Sequence, residues 1–117
     1  MITLKELLET QDYAFASSNF IDSFRRDYDP KKIEDSILEL ENINDVQKAL
    51  MAATVDQLCN EVKMDRPDWV YDPSTFLKKP YFAMNAKGNL RLILLQESPR
   101  WFRSRNLFVS ANCLERV

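Results

Sequence analysis

Arg100, Arg103 and Arg105, interleaved with Trp101 and Phe102, make up the densest basic and aromatic patch in the chain. Lys87, Arg91 and Arg116 lie near in sequence. A guanidinium is a planar fork that fits phosphate or carboxylate, and a neighbouring ring can stack on a base. On a helix Arg100 and Arg103 share a face, with Trp101 turned about 100° from Arg100. Aromatic residues and arginine also dominate protein–protein hot spots. The same side chains can instead serve the fold, their stems laid over apolar surface and their heads paired with carboxylates. The candidate partner-binding set is therefore Arg100, Trp101, Phe102, Arg103 and Arg105, with a protein as the favoured partner. A nucleic acid is the alternative, disfavoured because the patch is small and the chain has a net charge of −2.

Other chemistry-bearing residues form weaker patterns. Asp65, Asp68 and Asp72 are three carboxylates close in sequence, but oxygen-ligand sites need more converging ligands, and no EF-hand spacing surrounds them. Asp72 precedes Pro73 as a cap, and Asp65 can cap a turn over 67–70. The chain has no histidine, the residue most used for proton transfer and zinc ligation. Its one glycine, Gly88, excludes a glycine-rich phosphate loop. Cys59 and Cys113 lack metal-ligand spacing and sit beside Leu58 and Leu114, which reads as core; neither has an activating base next to it. No enzyme activity, cofactor or metal is expected.

The elements that position these residues are mostly helical. A chain of 117 residues suits one domain, and its 45% apolar content is enough for a core without disulfide or metal. A single glycine argues against the tight hairpins of an all-β fold. Thr3-Leu4-Lys5-Glu6 has the form of a capping box opening a helix over 4–9. A second helix runs from Asp12 to Asp27, with Tyr13, Phe20 and Phe24 at helical spacing. Asp29-Pro30 stops one helix and starts another. A third is expected over 30–41 on the stripe Ile33, Ile37 and Leu40, with Glu34, Asp35, Glu39 and Glu41 as its solvated sides. A fourth, over 44–62 and capped by Asn44, faces Val46, Leu50, Ala53, Leu58 and Val62 inward.

Beyond Val62 the texture changes. Pro67, Pro73 and Pro80 fall among Trp69, Tyr71, Phe76, Tyr81 and Phe82, which forbids a long helix and suggests a bent segment pinned by its rings. Asp72-Pro73 opens a short helix through about Leu77. The run 89–97 is ambiguous between a helix capped by Asn89 and a buried strand; its Leu and Gln content favours helix. Ser98-Pro99 starts a further helix to about Ser104, residues 107–109 read as extended, and Ser110 can cap a last helix to about Arg116. The fold expected is all-α, a single domain over 1–117 of about four N-terminal helices and a proline-punctuated half of short ones. An α+β variant with a hairpin near 90–95 and 107–109 is the alternative.

Charge divides unevenly along this frame. Residues 1–62 hold 6 Lys+Arg and 13 Asp+Glu, while residues 63–117 hold 10 and 5. The halves can attract each other or show opposite faces to partners. Lys5, Glu6, Glu9 and Asp12 interrupt any export signal, and the apolar runs 49–53 and 92–95 fall far short of the roughly 20 residues that span a bilayer. A cytoplasmic protein with reduced thiols and no membrane association is expected.

One set of segments in the rear half is familiar. Pro67-Asp68-Trp69-Val70, Leu77-Lys78-Lys79-Pro80-Tyr81-Phe82, Leu90-Arg91 through Glu97-Ser98-Pro99, and Phe102-Arg103-Ser104-Arg105-Asn106-Leu107-Phe108-Val109, with Leu114 and Arg116, resemble an uncharacterised family of small bacterial proteins. Members stand beside, or as tails of, helix-turn-helix proteins in toxin–antitoxin loci, often near nucleotidyltransferase-like toxins. The resemblance covers about residues 65–117 and implies a bacterial cytoplasmic protein with an antitoxin-like partner role and no catalytic residues. Residues 1–62 lack the glycine-containing turn of a helix-turn-helix, which turns the expectation from operator DNA toward a protein partner.

Overall fold

The computed structural model describes residues 2–83 and 86–110. Helix α1 (Leu4–Thr10) begins where the Thr3 side chain accepts the Glu6 amide, and it buries Leu4, Leu7 and Leu8. Helix α2 (Tyr13–Arg26) is capped by Asp12, which accepts from the Phe15 amide, and it buries Ala16, Phe20, Ile21 and Phe24. The rings of Phe20 and Phe24 stack with centroids 5.4 Å apart, and Tyr28 meets Phe24 edge-on at 5.1 Å. At the end of α2 the buried Lys32 ammonium donates to the carbonyls of Ser23 and Asp27, at 3.1 and 3.0 Å. The Ser23 carbonyl also accepts the Asp27 amide at 3.2 Å and the Asp27 carbonyl the Asp29 amide at 2.8 Å, and a cation at this end complements the helix dipole.

Helix α3 (Asp45–Glu61) is the centre of the molecule. Asn44 and Gln47 cap it reciprocally, an arrangement whose removal typically costs about 1 kcal/mol. Ala49, Met51, Ala52, Ala53, Val55, Leu58 and Cys59 are all buried, so nearly the whole circumference is covered. A helix apolar on every side must be surrounded, and its alanines let neighbours approach closely. Those neighbours are α2 on one flank and, on the others, single 3₁₀ turns at Asp68–Tyr71 and Pro73–Thr75 together with helix α5 (Arg100–Arg103).

The helix expected over 30–41 does not form. Only Pro30–Lys32 makes a 3₁₀ turn, capped by Asp29, and the chain then runs irregularly to Asn44. Tertiary contacts outweigh the helical spacing. The Ile33 carbonyl accepts from the indole Nε1 of Trp69 at 2.8 Å, and Ser36 Oγ accepts the Leu38 amide, a local bond that competes with helix. Ile33, Ile37 and Ile43 reach the core without helical geometry, while Glu34, Asp35, Glu39 and Glu41 remain exposed. Val62, expected inward, lies past the end of α3 and is 40% exposed.

In the rear half, Asp72 caps its turn through the Ser74 amide, but the helix expected through Leu77 stops at Thr75. Pro67, not Asp65, stands at the cap position before Asp68–Tyr71. Strand β1 (Tyr81–Phe82) pairs with strand β2 (Leu107–Phe108) in parallel register, Tyr81 opposite Leu107 and Phe82 opposite Phe108. Helix α4 (Asn89–Glu97) and α5 form the crossover between them. The hairpin of the α+β alternative does not form, since 90–95 is helical and the partner of 107–108 is the parallel strand 81–82, but the strand expected near 107–109 is present in a small sheet. The chain is thus mostly helical with one minimal sheet. Its radius of gyration of 13.7 Å is close to the roughly 13.4 Å of a compact chain this long. The helix expected from Ser110 to Arg116, with Cys113, falls beyond the described residues.

Candidate functional site

The five candidate residues divide between inside and outside. Arg105 lies inside. It is 1% exposed, and its Nη1 donates to Asp56 Oδ2 at 3.2 Å and to the Trp101 carbonyl at 2.9 Å. Its Nη2 donates to the Val70 carbonyl at 2.8 Å. The guanidinium is packed against Phe76 and Tyr71, with centroids 4.7 and 5.8 Å away. Asp56 is itself buried, and its Oδ1 accepts from Arg66 Nε at 2.8 Å and from the Tyr71 hydroxyl at 3.0 Å. Burial pulls the Arg105 guanidinium below its ordinary value, and the neighbouring carboxylate opposes that shift. The Tyr71 phenol is raised by burial and by its bond to Asp56.

Phe102 is also inside, 2% exposed and part of the core. Neither Arg105 nor Phe102 can touch an outside molecule while the fold is intact, which corrects the expectation that both belong to a partner surface. The reason is local. On α5 the ring of Phe102 faces α3, and the chain then turns so that Arg105 is delivered to Asp56. Arg105 stitches α3, the Asp68–Tyr71 turn and α5 together, and only its Nε is left without an acceptor. This cluster was missed in the sequence, although one signal was there. Asp56 falls three residues after Ala53 and three before Cys59, on the apolar face of α3, where a carboxylate needs a buried cation.

Arg100, Trp101 and Arg103 stay at the surface. The Arg100 guanidinium lies 4.1 Å from the centroid of the half-buried Trp101 ring, and Arg66 lies 5.5 Å from it. Arg103 is exposed and has no ion-pair partner among the described residues. These residues continue directly from α4 through the Ser98–Pro99 corner. Ser98 is buried there; its hydroxyl donates to the Leu94 carbonyl at 2.6 Å and accepts the Val109 amide at 2.7 Å, locking α4 to the end of β2.

Helix α4 is where structure and ordinary globular patterning disagree. Of its five aliphatic residues only Leu94 is buried. Leu90, Leu92, Ile93 and Leu95 are 36, 59, 46 and 40% exposed. A surface helix with one anchored aliphatic residue and four exposed ones is unusual in an isolated domain. The helix starts at Gly88, whose φ of 57° suits glycine, so the chain enters α4 through a turn that a bulkier residue would strain. The helix expected over 89–97 forms, but Gly88 and not Asn89 stands at its cap, and only Leu94 is buried.

The remaining patterns separate. Asp65, Asp68 and Asp72 do not come together: among the described residues no group of three His, Cys, Asp or Glu could hold a metal ion. Glu34 and Asp65, both exposed, line one open groove of about 170 Å³. Cys59 is buried and free, and burial pushes its thiol up to about 11, which keeps it protonated and unreactive. No helix among the described residues is long and apolar enough to cross a membrane. Comparison with known protein families, curated proteins and solved structures finds no match.

Proposed function

We propose that this protein is a non-catalytic interaction module that binds another protein through the exposed face of α4 and the adjoining Arg100, Trp101 and Arg103. The observation that carries this reading is the set of four large aliphatics left in water on α4. Burying one such side chain completely yields roughly 1.5–3 kcal/mol, so covering Leu92 and Leu95, which share a side of the helix and are about half exposed, yields on the order of 2 kcal/mol gross. That is about a quarter of what a micromolar complex requires. The cation and ring chemistry beside it supplies anchors of the type found in hot spots.

An antitoxin-like role in a bacterial cytoplasm, which the family resemblance implies, is one form such a module takes. The nucleic-acid reading through Arg100, Trp101 and Arg103 has less support. Phosphates and bases do not dehydrate aliphatic surface, and two of the five residues expected to serve that site are internal. The test is a photo-crosslinking residue placed at Leu92 in cells, with the same residue at the exposed Glu39 as control. A discrete protein adduct at position 92 and none at 39 is expected. Equal adducts at both positions, or none at 92, would remove the interaction reading.

A further inference from the structure

We infer that the partner presents an acidic amphipathic helix, an inference that rests on the proposed use of α4 and adds the chemistry of what covers it. The argument begins with charge. Between Leu77 and Ser110 the chain carries Lys78, Lys79, Lys87, Arg91, Arg100, Arg103 and Arg105 against a single acid, Glu97. The acidic surplus of residues 1–62 reaches only Arg105 among them, through Asp56. The other six cations have no carboxylate within ion-pair distance among the described residues, and they surround the aliphatic helix on both sides in sequence.

Two of them are held ready for an outside acceptor. Beside α4 a recess of about 220 Å³ is lined by Pro80, Tyr81, Phe82 and Ala86, with Lys87 and Arg91. Arg91 Nε donates to the Ala86 carbonyl at 2.8 Å, and its guanidinium centre lies 4.6 Å from the Phe82 ring centroid. Phe82 is in turn stacked on Phe108 at 5.0 Å. The fork is thereby oriented with its terminal N–H groups free of any acceptor among the described residues. A carboxylate at that recess would meet a preorganised guanidinium and a flexible ammonium.

The aliphatic part selects the shape. The helix is about 13 Å long, and Leu92 and Leu95, three residues apart, share one side of it as a short ridge that packs into the groove of another helix of two to three turns. A helix with leucine-type residues on one face and Glu or Asp along the flanks satisfies ridge and cations together. A second copy does not, because two-fold pairing of this surface would set six cations against six. An anionic bilayer or duplex DNA would meet the charge, but duplex DNA offers no apolar surface to Leu92 and Leu95, and a bilayer offers no fixed carboxylate to the recess at Lys87 and Arg91.

The experiment uses the full chain and synthetic helical peptides of about 20 residues, long enough to hold helix. One carries Leu on one face and Glu on the other, a second has Lys in place of every Glu, and a third is the first with its order scrambled. Fluorescence anisotropy should show the acidic amphipath binding at least about tenfold more tightly than either control, and weakening as salt rises. Lys87→Glu with Arg91→Glu should shift the preference toward the Lys peptide, and Leu92→Ser with Leu95→Ser should abolish binding while the circular dichroism spectrum stays unchanged. Equal binding of the Glu and Lys peptides, lost in the leucine variant, overturns the acidic partner but leaves the interaction face standing. No binding of any peptide overturns the acidic partner, and an unchanged crosslink at position 92 would then show whether the face still has an occupant. Tighter binding to phosphatidylglycerol vesicles or duplex DNA, or self-association in sedimentation that Leu92→Ser removes, overturns it in favour of those occupants.

Discussion

Two arginines two residues apart should respond oppositely to the same substitution. Arg103 is exposed with no carboxylate partner among the described residues, whereas Arg105 is 1% exposed and makes three hydrogen bonds, one of them to the buried Asp56. Arg103→Ala removes a solvated side chain and should change stability by no more than about 0.5 kcal/mol. Arg105→Ala breaks a buried ion pair, takes a donor from the Val70 and Trp101 carbonyls, and empties the space between Phe76 and Tyr71. Arg66 still holds Asp56 at 2.8 Å, which keeps the loss within the range for a broken buried pair, roughly 3–5 kcal/mol. Against a total stability of about 5–15 kcal/mol, that is a large fraction. At roughly 3–6 °C per kcal/mol for a chain of this length, the melting temperature should fall by about 9–30 °C. Urea unfolding followed by the fluorescence of Trp69 and Trp101 measures both variants. Arg105→Lys should recover little, since an ammonium cannot serve the Val70 carbonyl, the Trp101 carbonyl and Asp56 from one planar fork. If Arg105→Ala costs less than about 1 kcal/mol, the buried cluster is not what joins the rear half to α3, and the assignment of Arg105 to the interior fails.

Ser98→Ala should cost about 1–3 kcal/mol, because it strands the Val109 amide, which the Ser98 hydroxyl accepts at 2.7 Å in a buried corner; the urea midpoint reads this, and a neutral result would mean that the corner is not closed. On the alkaline side, burial raises the Cys59 thiol from 9.0 to about 11 and also raises Tyr13 and Tyr71 from 10.0. These groups stay protonated in the folded chain while the unfolded chain ionises, so their contribution is complete below pH 9 and is lost as pH climbs through the folded values. For Cys59 alone the loss between pH 8 and 11 should be about 1–3 kcal/mol. In a Cys113→Ser protein at pH 8, Cys59 should label with a thiol reagent only as fast as the chain unfolds; labelling complete on mixing would contradict its burial.

Five caps were legible because capping is local chemistry, although Gly88 and Pro67 stand where Asn89 and Asp65 were expected. Thr3, Asp12, Asp29, Asn44 and Asp72 each accept a backbone amide two or three residues ahead, as their residue types indicate. The proline-bent segment was legible for the same reason: proline sterics act on the residue itself and its neighbours. Periodicity was a weaker guide. Ile33, Ile37 and Leu40 are spaced for a helix, yet Trp69, 36 residues away, binds the Ile33 carbonyl, and the segment runs irregularly instead.

The candidate site shows the same divide. Composition alone marks Arg100–Arg105 as a basic, aromatic stretch, and sequence alone sets the acidic front against the basic rear. Which arginine is interior and which faces water depends on Asp56, 49 residues before Arg105. A carboxylate cannot be buried without a cation, and only the packing of α5 against α3 decides which cation arrives. Helix α4 is the converse case. Its leucines predict burial, and the fold, whose core already closes over Leu94, has no further surface to offer the other four. Local chemistry therefore settled the caps, the bends and the division of charge, while long-range packing decided what is inside, because desolvation depends on neighbours that sequence spacing does not name.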